Sequence, residues 1–140
     1  MKLQITSQEK QVLLQICFGY LQECANMWGL HVVHSNGSYQ SAKQHILSEI
    51  VNEKGVETSY RPSYEEILAQ LIVDGHTLKF IDFKEGENSL TYAEFDINKF
   101  NENLDNCNPI HIVKILSFDY TTGDVDEVLQ TLIFGSVHYE

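Results

Sequence analysis

Six histidines and three cysteines are the side chains of this sequence most able to hold a metal or attack a substrate. The histidines are His31, His34, His45, His76, His111 and His138. A zinc site needs ligands that converge on one tetrahedral centre. His31 and His34 stand three apart in Leu30-His31-Val32-Val33-His34, which reads as a short strand, and that spacing turns them to opposite faces. There is no HExxH and no pair of Cys/His doublets, so neither a metal nor a cofactor is expected. The phosphate-cradling patterns GxxxxGK and GxGxxG are absent as well.

Nucleophilic chemistry has equally little to start from. No GxSxG is present. Cys17 and Cys24 lie seven apart, two turns along an apolar helix face, which suits reduced core thiols. The odd number of cysteines and the lack of a CxxC argue against a disulfide framework. Cys107 falls among asparagines and aspartates and is the thiol left to consider, with His111 four residues on as its base. No third, orienting group can be named for that pair. Carboxylates cluster as Glu65 with Glu66, Asp82 with Glu85 and Glu87, and Asp124 with Asp126 and Glu127. Acid–base catalysis needs two carboxylates in unlike environments. These sit in expected loops and first helical turns, where they are solvated or capping. Asp124-x-Asp126 lacks the glycine and distal glutamate of an EF-hand. No catalytic residue is assigned, and the chain reads as a binder rather than an enzyme.

Charge is the strongest remaining signal. Of the 140 residues, 20 are acidic and nine are Lys or Arg, for a net charge of −11. Residues 1–81 carry eight acids and six bases, whereas residues 82–140 carry twelve acids and three bases. A surface this acidic excludes direct nucleic-acid binding, which draws on basic residues. It favours a basic protein partner and would steer association with one. Solubility is the plainer use of the same charge. No run of about 18 apolar residues suggests a membrane span. The start, Met1 to Glu9, turns polar too early for a secretion signal, so a cytoplasmic location is expected.

The length fits one domain, over residues 1–140, able to build one sizeable core. The last stretch has the pattern of a packing element that the rest of the fold closes against. Val125, Val128, Leu129, Leu132 and Ile133 recur at helical spacing, acids crowd the first turn, and Gly135 stops the helix. Ahead of it, Thr6 with Glu9 forms a capping box for a helix from Ser7 to Met27, with Leu13, Ile16, Cys17, Tyr20, Cys24 and Met27 as its stripe and Gly19 as a weak point. Asn36-Gly37 predicts a tight turn after the first strand. Ser41 to Lys54 predicts a helix, and residues 56–61 a connector or short edge strand. Ser63 with Glu66 starts a short helix that ends near Val73. Thr77 to Phe83 is the best strand, and Lys84 to Asn88 a hairpin loop. Ser89 to Tyr92 would return as a strand. Thr91 with Glu94 repeats the capping spacing and predicts a helix to Leu104. Asn101 to Asn108 reads as loop, Ile110 to Phe118 as a β-branched strand, and Ser136 to Tyr139 as one more edge strand. This order predicts an α+β fold, a small antiparallel or mixed sheet with several helices packed on it.

The segment from Leu78-Lys79-Phe80-Ile81-Asp82 through Ser89-Leu90-Thr91 to Gln130-Thr131-Leu132-Ile133-Phe134-Gly135 and Tyr139 resembles small uncharacterised proteins of phages, plasmids and conjugative elements of gut bacteria. Those often end in a Gln-x-x-Leu-Phe-Gly-like stretch; this chain has Ile133 before Phe134 and ends in Glu140. The resemblance covers residues 76–140 and, more faintly, Trp28 and the strand after it. It carries over no catalytic residues. It implies a mobile-element context, in which small acidic proteins act as inhibitors that occupy a basic surface of a nucleic-acid-handling protein. The expected partner-binding residues are Asp82, Glu85, Glu87, Glu94, Asp96, Glu102 and Asp105. Two alternatives stay open: an immunity protein that neutralises a toxin, and a small-ligand binder or enzyme with an aromatic pocket formed by Trp28, Tyr60, Tyr64 and a histidine. Pairing of the apolar tail Val137–Tyr139 would allow a homodimer.

Overall fold

A computed structural model describes residues 4–54, 60–82 and 90–139. The order is α1 (Ser7–Phe18), α2 (Leu21–Trp28), β1 (Leu30–Val33), α3 (Asn36–Lys54), α4 (Tyr64–Val73), β2 (Leu78–Asp82), β3 (Leu90–Phe95), α5 (Ile97–Leu104), α6 (Pro109–Leu116) and α7 (Thr122–Phe134). The three strands form one antiparallel sheet in the order β1-β2-β3. The fold is α+β, as the sequence predicts.

Strand alternation gives the sheet one buried and one wet face. Leu30, Leu78, Phe80 and Phe95 turn into the core, while His31, Val33, Lys79 and Glu94 are exposed. Between Phe80 and Ile81 the register with β3 slips by one residue, opposite Tyr92. Such a bulge locally twists the strand and re-aims a side chain. Helix α7 packs against α1, α5, α6 and β3. Its Val125, Val128, Leu129, Leu132 and Ile133 are fully buried, so the final helix is indeed the element around which the core closes.

Helix ends follow their caps. The Thr6–Glu9 capping box forms, Ser63 accepts from the Glu66 amide, and Thr121 with Asp124 makes a second capping box at α7. Gly29 and Gly135 end their helices with φ of 75° and 89°, a region in which a Cβ is strained.

Six expectations are corrected. The helix predicted from Ser7 to Met27 breaks at Gly19-Tyr20 into α1 and α2. The break rotates the second half, so Trp28 is buried and Met27 is 66% exposed. Asn36-Gly37 is not a hairpin turn but the first turn of α3, because Ser35 Oγ accepts from the Ser38 amide at 3.1 Å and caps the helix. The Thr91–Glu94 spacing is not a cap: β3 stays paired with β2 as far as Phe95, and Asp96 caps α5 instead, at Lys99 N. The strand predicted over Ile110–Phe118 is α6. Asn108 caps it and Pro109 occupies its first turn, where a missing N–H costs nothing. The last part of the predicted Asn101–Asn108 loop remains, but residues up to Leu104 belong to α5. Among the described residues Ser136–Tyr139 pairs with no strand; it folds back as irregular chain over α7. The hairpin loop Lys84–Asn88 and most of the predicted connector 56–61 lie outside the described residues.

Candidate protein-binding groove

Packing of α1 and α3 on α4 leaves a groove of about 360 Å³. Its floor is apolar, with Ile46, Ile50, Ala69 and Val73, and its walls carry Gln11, Gln15, Gln70, Glu49, Glu53 and Glu66. The spacing of His45, Glu49 and Glu53 puts them in one row along α3, since residues four apart share a helix face. No lysine or arginine is among the described residues that line this groove.

Its polar groups hold one another. His45 Nδ1 lies 2.8 Å from Asp74 Oδ1, and Nε2 lies 3.0 Å from Glu49 Oε1. Gln70 Nε2 donates to Asp74 Oδ1 at 2.9 Å. The Tyr60 hydroxyl donates to Glu66, which raises the phenol pKa. Asp74 beside the His45 ring raises the imidazole pKa above 6.5, mainly through the hydrogen bond, with Glu49 adding to it. A raised histidine pKa stabilises the fold fully below the unfolded value of about 6.5, and that contribution fades as pH climbs through the higher folded value. The His45→Gln protein should therefore melt below wild type at pH 5.5, and the gap should close by pH 8.5. The ring is 43% exposed, so the effect is small, and thermal scans across that range read it directly.

A second cluster ties α6 to α7. His111 Nδ1 lies 2.6 Å from Asp124 Oδ1, and Nε2 meets Glu127. Asp124 also accepts from Thr121 N at 2.9 Å, and this backbone hydrogen bond, together with His111, holds its carboxyl below the usual carboxylate pKa. Both ring nitrogens are thus occupied by carboxylates. Cys107, which the sequence placed in a polar loop with His111 as its base, is buried instead. Its Sγ faces the carbonyls of Asn103 and Val128, and burial pushes the thiol up to about 12. That is the opposite of an activated nucleophile. Among the described residues no group of three or more His, Cys, Asp or Glu could hold a metal ion.

The aromatic pocket considered from sequence does not assemble. Trp28 stacks on Tyr139, with ring centroids 6.0 Å apart, and meets Phe134 edge-on. Tyr64 belongs to another cluster with Tyr39 and His34. The Trp28 indole donates to Asp126 Oδ1 at 2.8 Å, a role for Asp126 that the sequence reading missed. The partners are 98 residues apart, and only the aromatic-plus-acid pairing hinted at it.

The acidic residues expected to bind a partner are spread over several elements. Glu94 projects from the wet face of the sheet toward Lys79, whose Nζ is 3.9 Å away. Asp82 is on the opposite, core-side row, paired with Leu30. It adds to the rise of the Tyr139 phenol pKa to about 12, after burial and the Tyr92 hydroxyl. Asp96 caps α5, Glu102 is exposed on that helix, and Asp105 follows its end. Glu85 and Glu87 lie outside the described residues. Glu49, Glu53 and Glu66, in the half of the chain with less net charge, share one groove instead, and sequence spacing along α3 could have flagged the first two.

No protein-family profile, curated protein or solved structure matches this chain. Among the described residues, no helix is long and apolar enough to cross a membrane.

Proposed function

We propose that this chain is a cytoplasmic, non-catalytic binding protein that inhibits a basic, nucleic-acid-handling protein by occupying its positive surface. A mobile-element origin, in which the target belongs to host defence, fits the resemblance of residues 76–140. The observation that carries the reading is the groove between α1, α3 and α4, with Glu49, Glu53 and Glu66 on its walls, no described lysine or arginine, and an apolar floor. A basic side chain laid in such a groove gains charge pairing at its head and apolar contact along its stem. The net charge of −11 adds long-range attraction toward the same partner. The exposed carboxylates Glu94, Glu102 and Asp105 extend the acidic surface.

Reversing the groove tests this. The triple variant Glu49→Lys, Glu53→Lys, Glu66→Lys should keep a melting temperature within a few degrees of wild type, because Glu49 and Glu53 are exposed and the bonds given up, His45 to Glu49 and Tyr60 to Glu66, are solvent-exposed ones. It should slow association with the captured basic partner by roughly tenfold or more at low ionic strength, an effect that shrinks in high salt. A parallel reversal of Glu94, Glu102 and Asp105 ranks the two acidic regions. Retention of the partner by both variants at the wild-type rate and with the same salt response would refute the reading.

A further inference from the structure

The outer side of α6 is unusually apolar for a chain this acidic. Ile110 is 63% exposed, Val113 50% and Phe118, just beyond the helix, 73%. The inner side, Ile112 and Ile115, is buried. Phe118 also has φ of 59°, and it is the single described non-glycine residue with positive φ. Its amide donates to the Ile115 carbonyl at 3.0 Å and the next amide, of Asp119, to Lys114 at 2.9 Å. This is the Schellman ending of a helix, with phenylalanine in the left-handed position that glycine ordinarily fills. A bulky residue there is a true outlier, and such outliers gather at working surfaces. The backbone turn lifts the ring away from the core that the rest of α6 joins.

We propose that Phe118, with Ile110 and Val113, is the apolar anchor by which this protein engages its partner, and that it enters an apolar pocket bordered by lysine or arginine. The proposal rests on the protein-binding reading and adds a second contact surface to it. The border follows from charge: Asp119 adjoins Phe118 in the chain and the half-exposed Glu127 meets His111 of α6, while Lys114 is the one lysine or arginine within that helix. A second copy of this chain would bring the same acids and the same net charge of −11 to the contact, which opposes self-association. Exposed aromatics set in a pocket are the usual centres of binding energy.

The test uses the full chain as bait in host lysate and three proteins: wild type, Phe118→Gly, and Ile110→Ser with Val113→Ser. Glycine suits the left-handed position, so Phe118→Gly should melt about 3–5 °C higher than wild type. It should nevertheless retain at least about tenfold less partner. Loss of binding by a more stable protein cannot come from misfolding. A photo-crosslinking residue at position 118, with position 40 as an exposed control, should attach to an apolar stretch of the partner next to lysine or arginine. Wild-type retention by Phe118→Gly, a lower melting temperature for it, or a crosslink to another copy of this chain would overturn the proposal. If retention is salt-sensitive and lost on groove reversal but not in Phe118→Gly, this inference fails alone. If wild type retains no basic protein, both readings fail.

Discussion

Leu129→Ala should cost the protein about 3–4 kcal/mol. Leu129 is 0% exposed at the middle of α7. Its helix neighbours Val125, Val128, Leu132 and Ile133 are buried too, and so are Gln130 and Thr131 on the remaining sides. A helix enclosed nearly all the way round cannot shift to fill a void without disturbing β3, α1, α5 and α6 together. The lost methyl groups therefore leave a cavity as well as a transfer cost. Domains of this kind are stable by only about 5–15 kcal/mol, so at least about a fifth of the margin would go. Urea unfolding should show a lower midpoint at an unchanged slope. Ile110→Ala, at a 63% exposed site, is the control and should stay within about 0.5 kcal/mol of wild type. Equal losses at the two positions would show that α7 is not the centre of the core.

Gln130→Leu should cost about 2–4 kcal/mol and change the tryptophan emission. The amide of Gln130 is fully buried, and every hydrogen-bonding capacity it has is used. Nε2 donates to Asp126 Oδ2 at 2.8 Å and to the Tyr139 carbonyl at 3.0 Å. Oε1 accepts from the amides of His138 at 2.8 Å and Tyr139 at 2.6 Å. Leucine has almost the same volume and none of these bonds. The chain after Gly135 would lose its attachment, and Tyr139 would come off the face of Trp28. Trp28 is the one tryptophan in the sequence, so its emission reports this step without a label. A variant with the same melting temperature and the same spectrum as wild type would mean that the tail is held by its rings and by the hydrogen bond between the Tyr92 hydroxyl and His138 Nδ1.

Local signals were legible where the chemistry is local. Thr6 with Glu9, Ser63 with Glu66, and Gly135 announce helix ends because the cap partners are three or four residues away. The apolar spacing of Val125 to Ile133 announces the central helix for the same reason. The misreadings arose where two local rules competed or where tertiary contacts decided. Ile110, Ile112, Val113 and Ile115 are β-branched, yet Asn108 and Pro109 start a helix, and burial of Ile112 and Ile115 on one side completes it. β propensity is a weak rule against packing. Thr91 and Glu94 have the spacing of a cap, but pairing with β2 holds both in strand. The site was the least legible. The grouping of Glu49 and Glu53 with Glu66 depends on how α3 lies on α4, and the roles of Asp126 and Gln130 depend on a tail that returns across the helix. No spacing rule encodes either.

Cys17, Cys24 and Cys107 are all free and buried, on α1, on α2 and ahead of α6. Burial raises all three thiol pKa values, to about 12 for Cys24 and Cys107. In the closed fold a thiol so placed is almost entirely protonated and shielded from alkylating reagents. Modification must then wait for the surrounding structure to part, and the order in which the three sulfurs acquire label becomes a map of where the molecule opens first.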